Sequence, residues 1–304
     1  MLRFARNDKK DTMKVKSTLE NYLFILPAVT IFAIFYIYPF YATFNLGLRA
    51  WDGVSPVSQF VGLRNFKEIL LQSRLWWPAM WHAGYITLFA LTFQNALALA
   101  LALACDRQIK LGNFYRLIFF IPPVLSEVVV GLVWKWIYNG DYGLLNHWLA
   151  NLGLVHLARS WLSEPQTALT CVAIIHSWKG FGWGFIILLA GLQTIPRQLY
   201  EAARVDGATS WQRFWHVTTP LMIPVFVLVS ILTILGSMQA FVLVLTMTGG
   251  SPALGTSVPV TRILSSMRAS LRFGYACAQG IIFGLVLLVV SFMQIRLSKR
   301  MKQA

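Results

Sequence analysis

At 304 residues, 57% hydrophobic and only 12% charged, with a mean hydropathy of +0.61, the chain is too apolar for a water-soluble domain and too long for one membrane crossing. Its formal charge of +15 does not gather into a nucleic-acid patch, because the basic residues flank apolar runs and read as determinants of membrane topology. Cys105, Cys171 and Cys277 lie far apart with no CxxC and no His/Cys cluster, so neither a disulfide scaffold nor a metal site is supported.

Residues 1–21 carry Arg3, Arg6, Lys9, Lys10, Lys14 and Lys16 ahead of an apolar run too long for a signal-peptide core, and they are read as a retained cytoplasmic segment. A hydrocarbon core about 30 Å thick takes roughly 20 apolar helical residues. On that measure span 1 covers about 22–46, and a polar external segment follows to 78. Span 2, about 79–104, opens the five-helix core at 79–296 and is rich in alanine, whose small side chains permit close helix contacts. Span 3, about 115–138, contains Pro122-Pro123, which predicts a kink, and ends in Trp134, Trp136 and Tyr138.

A polar segment with GLLN (Gly143 to Asn146) leads to span 4 at about 166–192. A charged island at 193–219 separates it from span 5, about 220–245. The Gly/Ser/Pro-rich stretch Thr248 to Ser257, followed by Arg262, Arg268 and Arg272, precedes span 6 at about 275–296 and a basic tail at 297–304.

Six spans put both termini on one side. Sixteen Lys and Arg lie near that side against eight opposite, so the positive-inside rule places both termini and the island in the cytoplasm. Eight of the twelve tryptophans, Trp76 and Trp77 among them, then fall toward the outer side, where interfacial anchoring explains most of them.

Within the island, Pro196 suits the first turn of a helix, where its missing N–H costs nothing. Leu199, Tyr200 and Ala203 share a face, while Arg197, Glu201 and Arg204 are spaced to interact. Gly207 can take the left-handed conformation that closes a helix. Thr209-Ser210-Trp211-Gln212 matches a capping box for a second helix, whose apolar face is Trp211, Phe214 and Trp215. Pro220 and Pro224 mark the return to the bilayer. The product is a helix–Gly–helix hairpin; local physics also fits a plain amphipathic link lying on the membrane, with Glu201 paired to Arg197 or Arg204.

Glu127 and Lys179 are the charges well inside spans, and such residues are functional candidates by default. Helical rise puts both roughly 18 to 20 Å above the cytoplasmic ends of their spans, within reach of each other. An ion pair holding spans 3 and 4 in register fits as well as substrate contact. Ser230, Thr233 and Ser237, at i, i+3 and i+7 with Gln239 nearby, and the pair Thr87 and Gln94, suit either a path for hydroxyl-rich substrates or helix–helix hydrogen bonds. Gly280 and Gly284, and the span 4 set Gly180, Gly182, Gly184 and Gly191, are read as packing sites. The five histidines have no metal spacing and are assigned no chemistry.

The island resembles the EAA loop of permease subunits of binding-protein-dependent ABC importers, with Glu201-Ala202-Ala203, Gly207 and Pro220 at the family spacings. Val217 replaces the family Ile conservatively, and Thr219 replaces the Leu, a real departure. LAGLQTIPRQLYEAARVDGA (Leu189 to Ala208), FVGLRNF (Phe60 to Phe66), the IPP of span 3, GLLN and LTMTGGSP (Leu245 to Pro252) are similar to the carbohydrate-uptake, maltose-type branch.

That resemblance implies an all-α polytopic membrane protein with six transmembrane helices and a cytoplasmic coupling-helix hairpin, a type I ABC importer permease. It implies that Glu201 and Gly207, supported by Ala202, Ala203 and Asp206, dock on a cytoplasmic ATPase subunit. A second homologous permease, expected as a heterodimer partner, and an external substrate-binding protein complete the implied assembly in the bacterial cytoplasmic membrane, with lipid and no nucleic acid as the other contact. The chain has no GxxxxGK[ST] loop, so it is not expected to be an enzyme or to hold a cofactor; ATP and Mg belong to the partner ATPase. The alternatives are an ion-driven secondary carrier and a membrane-embedded enzyme, although HExxH and GxSxG are absent. Arg262, Arg268, Arg272 and Lys179 suit an anionic saccharide or sugar phosphate, while neutral oligosaccharides are the family default.

Overall fold

The computed structural model describes residues 22–106, 112–250 and 255–301. The basic N-terminal segment, Arg107 and Lys110 of the link between spans 2 and 3, residues 251–254 and the last three residues lie outside the described residues.

α1, Tyr22–Gly47, is a long apolar helix. A π turn at Ala33–Ile37 directly precedes Pro39, whose missing N–H frees the carbonyl four residues back. The helix is exposed along most of its length and packs at its end, where Gly47 leaves just enough room for Ile281. Beyond it, β1 (Arg49–Ala50) pairs antiparallel with β2 (Gln59–Phe60) as a minimal ribbon in an otherwise helical chain. Asn65, in the short helix α2 at 64–72, ties this segment down by donating to the carbonyls of Gly47 and Arg49, both at 2.9 Å.

α3, Trp76–Asp106, presents Ala98 and Ala102, both fully buried, to the fourth span. Trp76 is 1% exposed, so it belongs to the core and not to the interfacial belt expected for it. The third span is broken. α4 (Gly112–Val124) and α5 (Glu127–Ile137) meet at 91°, with extended Ser126 (φ −59°, ψ 133°) at the corner. Pro122-Pro123 marks the place, but the result is a right angle and not a kink within one rod. Lys135, inside the predicted span 3, therefore rides on a half-helix crossing the direction of α4.

After a short helix α6 (Leu144–Asn151), α7 (Pro165–Gln193) forms the centre of the bundle. Its glycines are where neighbours come closest. A Cβ at Gly182 would lie 2.5 Å from both the Phe119 carbonyl and Pro123, and one at Gly191 would lie 2.8 Å from Val225. Next come α8 (Arg197–Val205), α9 (Ser210–Arg213) and a π turn, Phe214–Thr218, that runs into α10 (Thr219–Met238). Span 5 was expected to continue to 245; it stops at Gln239 and resumes as α11 (Val242–Met247), which packs on α5 where Gly131 leaves no room for a Cβ against Thr246.

α12 (Pro259–Arg268) is a regular amphipathic helix in the stretch between spans 5 and 6, where no helix is predicted from the sequence, with Pro259 in its first turn. α13 (Phe273–Met301) is the last span. Gly280 and Gly284 on it meet nothing within 4 Å of an added Cβ among the described residues, so the packing expected of them does not occur there. Among the described residues five helices are long and apolar enough to cross a bilayer, and there are six if α4 with α5 is counted as one broken span.

Candidate functional site

The island folds as its residues specify. Pro196 is extended at the N-cap of α8, one position before the first turn where it was expected. At the other end Gly207 takes φ +80°. The amides of Gly207 and Ala208 return to the carbonyls of Arg204 and Ala203 at 3.0 and 2.9 Å, the paired bonds of a Schellman closure. Thr209 then caps α9: the Gln212 amide donates to its hydroxyl at 3.3 Å, and its own amide donates to the Gln212 side chain at 2.7 Å. The Tyr200 hydroxyl lies 2.9 Å from that of Thr218, folding α8 back onto the foot of α10.

Glu201, Ala202, Asp206 and Gly207 are exposed and Ala203 is half-buried. Val205 is 88% and Trp211 69% exposed, an apolar surface beside an acid. Among the described residues Glu201 makes no ion pair, despite the helical spacing of Arg197 and Arg204. Among the described residues a Cβ at Gly207 would touch nothing.

The second feature is a cavity of about 380 Å³ among α3, α5, α7 and α10. It brings Glu127, Lys179, Thr233 and Ser237 together. Ser230 and Gln239 do not join them: the lining stripe of α10 runs through Val229, Leu232, Thr233, Gly236 and Ser237, which leaves Ser230 to one side, and Gln239 is exposed past the helix end. Lys179 Nζ donates to the Pro123 carbonyl at 3.3 Å and lies 4.0 Å from Glu127 Oε1. Thr233 donates to Asn95 Oδ1 at 3.0 Å, so helix–helix bonding and cavity lining coincide at that residue.

His176 and Trp183, which sequence reasoning left without a role, also line the cavity. With Lys179 they form an i, i+3, i+7 stripe on α7, a signal that was legible. His176 Nε2 lies 3.0 Å from Ser237 Oγ. Gln94, 6% exposed, faces the cavity with its Oε1 lacking a partner, in space that exists because Gly180 carries no side chain. An indole, several donors and several acceptors around one concave volume are suited to a hydroxylated ligand. Among the described residues, no three His, Cys, Asp or Glu side chains gather as metal ligands.

Comparisons with known proteins agree with this arrangement. The family model described as "Binding-protein-dependent transport system inner membrane component" matches residues 94–303. The chain is 32% identical over 284 residues to the probable ABC transporter permease protein YurN of Bacillus subtilis, covering 93% of this chain and 97% of that one. It is 32% identical over 251 residues to the trehalose/maltose transport system permease protein MalF of Thermococcus litoralis, covering 83% and 84%. Its fold is similar to that of a solved bacterial alginate ABC transporter in complex with an alginate pentasaccharide-bound periplasmic protein, with a TM-score of 0.81, 23% identity, and 95% and 96% of the two chains covered. The sequence matches extend over most of the chain and include both the hairpin and the cavity-lining helices: the chain belongs to the family of binding-protein-dependent transport system inner membrane components.

Proposed function

We propose that this chain is one permease half of an ATP-driven importer, that the cavity is part of its path for a sugar or oligosaccharide, and that the hairpin around Glu201 and Gly207 is where a cytoplasmic ATPase acts on it. The observation that carries this reading is the continuous helix that joins the hairpin to a wall of the cavity. The helix that leaves the hairpin at Ser210 presents Thr233 and Ser237 to the cavity. Thr218 and Thr233 are about 22 Å apart along its axis at 1.5 Å per residue. A displacement of the hairpin therefore moves a wall of the cavity, which is what alternating access requires.

In this reading Glu201, Ala202, Ala203, Asp206 and Gly207 form the docking face, and ATP and Mg²⁺ are held by the partner ATPase. A second homologous permease supplies the other half of the path. An external binding protein delivers the cargo, as the periplasmic protein bound to the similar alginate transporter supports. The relative named for trehalose and maltose supports a sugar cargo. The charge bias along the sequence supports both termini and the hairpin lying on the cytoplasmic face of a bacterial inner membrane. Family membership lends no support to an ion-driven carrier or a membrane-embedded enzyme.

Affinity purification through a tag on this chain tests the proposal. Recovery of an ATPase and a second permease, with sugar uptake driven by ATP in vesicles, is the expected result. A chain that purifies alone and transports with an ion gradient would sink it.

A further inference from the structure

We infer that Glu127 cancels the charge of Lys179 and thereby sets the cavity to accept neutral saccharides and refuse anionic ones; this rests on the reading of the cavity as a sugar path. The right-angle break in the third span leaves two helix ends beside the cavity. α4 ends at Val124, so the Pro123 carbonyl lies beyond the helical ladder, and Lys179 donates to it at 3.3 Å. That is a cation at the negative end of a helix. α5 begins at Glu127, a carboxylate at the positive end of the next helix. Each charge is held by a helix end of opposite sign, and the two lie 4.0 Å apart.

The other polar groups of the wall, Gln94, His176, Thr233 and Ser237, bring hydrogen bonds and no permanent charge. Lys179, with a side chain only 13% exposed, would otherwise be a lone cation in the cavity wall, which is an anion site. With Glu127 in place, a substrate carboxylate approaching Lys179 meets a second carboxylate within a few ångströms. Like charges at that range, partly shielded from water, weaken binding by about tenfold to a hundredfold. The same cancellation occurs outside, where Arg272 is bound through both its terminal nitrogens to Glu68. Two of the basic residues that suit an anionic cargo on sequence grounds are thus already neutralised.

The test uses the complete importer in lipid nanodiscs, without its binding protein, and saturation-transfer NMR with trisaccharides of matched size: maltotriose (neutral) and trigalacturonate (anionic). The wild type is expected to bind maltotriose and to bind trigalacturonate about tenfold more weakly or less. Glu127→Gln should raise trigalacturonate affinity about tenfold, and Lys179→Gln added to it should abolish the gain. If Glu127→Gln does not assemble, Lys179→Met carries the mirror expectation, a gain of about tenfold for the cationic trisaccharide chitotriosamine. Equal binding of both probes by the wild type, or no change of preference in the variants, overturns the inference and leaves the sugar path standing. Binding of no probe by any form removes the sugar path and the inference with it.

Discussion

The hydroxyls of Tyr200 and Thr218 lie 2.9 Å apart, and this contact joins the exposed hairpin helix to the foot of the helix that walls the cavity. Tyr200 is half-buried and Thr218 buried, so the bond is sheltered from competing water. Tyr200→Phe removes it at a cost of about 1 kcal/mol, too little to unfold a bundle of this size. The expected outcome is normal membrane insertion with more ATP consumed per sugar transported, measured by parallel hydrolysis and uptake in vesicles. An unchanged ratio would show that the hairpin transmits motion by another contact.

Glycines on two spans should respond in opposite ways. Gly182→Ala places a methyl group 2.5 Å from the Phe119 carbonyl and Pro123, so α4 must move away from α7. Such overpacking costs about 1–3 kcal/mol and should lower the thermal midpoint of the purified protein. Gly280→Ala and Gly284→Ala meet nothing in this chain and should leave the monomer's midpoint unchanged. A loss of permease pairing in those two, read by cross-linking, would place a partner on that face.

The segment tied down by Glu68 and Arg272 should loosen in acid. The Arg272 guanidinium hydrogen-bonded to Glu68 holds its carboxyl below the ordinary value of 4.5. A carboxyl with a depressed folded value contributes stability that is complete above its unfolded value and lost as pH falls through the folded one. Both side chains are partly exposed, so the contribution is about 1 kcal/mol or less. Hydrogen-exchange protection of residues 64–72, corrected for intrinsic rates, should decline as the pH falls below 4.5 and become independent of pH in that range in Glu68→Gln.

Glu127 and Lys179 should be coupled energetically. A double-mutant cycle on thermal stability with Glu127→Gln and Lys179→Gln is expected to give an interaction energy of about 0.5–3 kcal/mol. Simple additivity would mean that the 4.0 Å separation carries no energy.

What was legible in the sequence was mostly local. The capping box at Thr209 and Gln212 and the left-handed Gly207 depend on residues within one turn, and both form as their residue types dictate. Hydrophobic run length located the spans for the same reason. The angle between α4 and α5 was not legible, because Pro122-Pro123 weakens a helix without stating where the chain goes next. The helix at Pro259–Arg268 was hidden by its low apolar content and its neighbouring Gly/Ser-rich stretch. The i, i+3, i+7 spacing groups Ser230 with Thr233 and Ser237, yet only the latter two line the cavity, since such spacing defines a stripe but not its rotation toward a neighbour. His176 was passed over because its partner, Ser237, is distant in sequence and near only in the fold.

The account turns on the hairpin as the place where an outside partner drives the cavity, and Gly207→His tests this most directly. Gly207 has φ +80°, a conformation that His tolerates better than most residues, and its Cβ would touch nothing in this chain. The intrinsic cost is therefore about 1 kcal/mol of backbone strain. In vesicles holding the complete importer, the variant should insert and assemble normally while ATP-driven sugar uptake falls at least about tenfold, a loss larger than that strain converts to at 1.4 kcal/mol per decade. Uptake at the wild-type rate, with the same ATP consumed per sugar, would contradict the account.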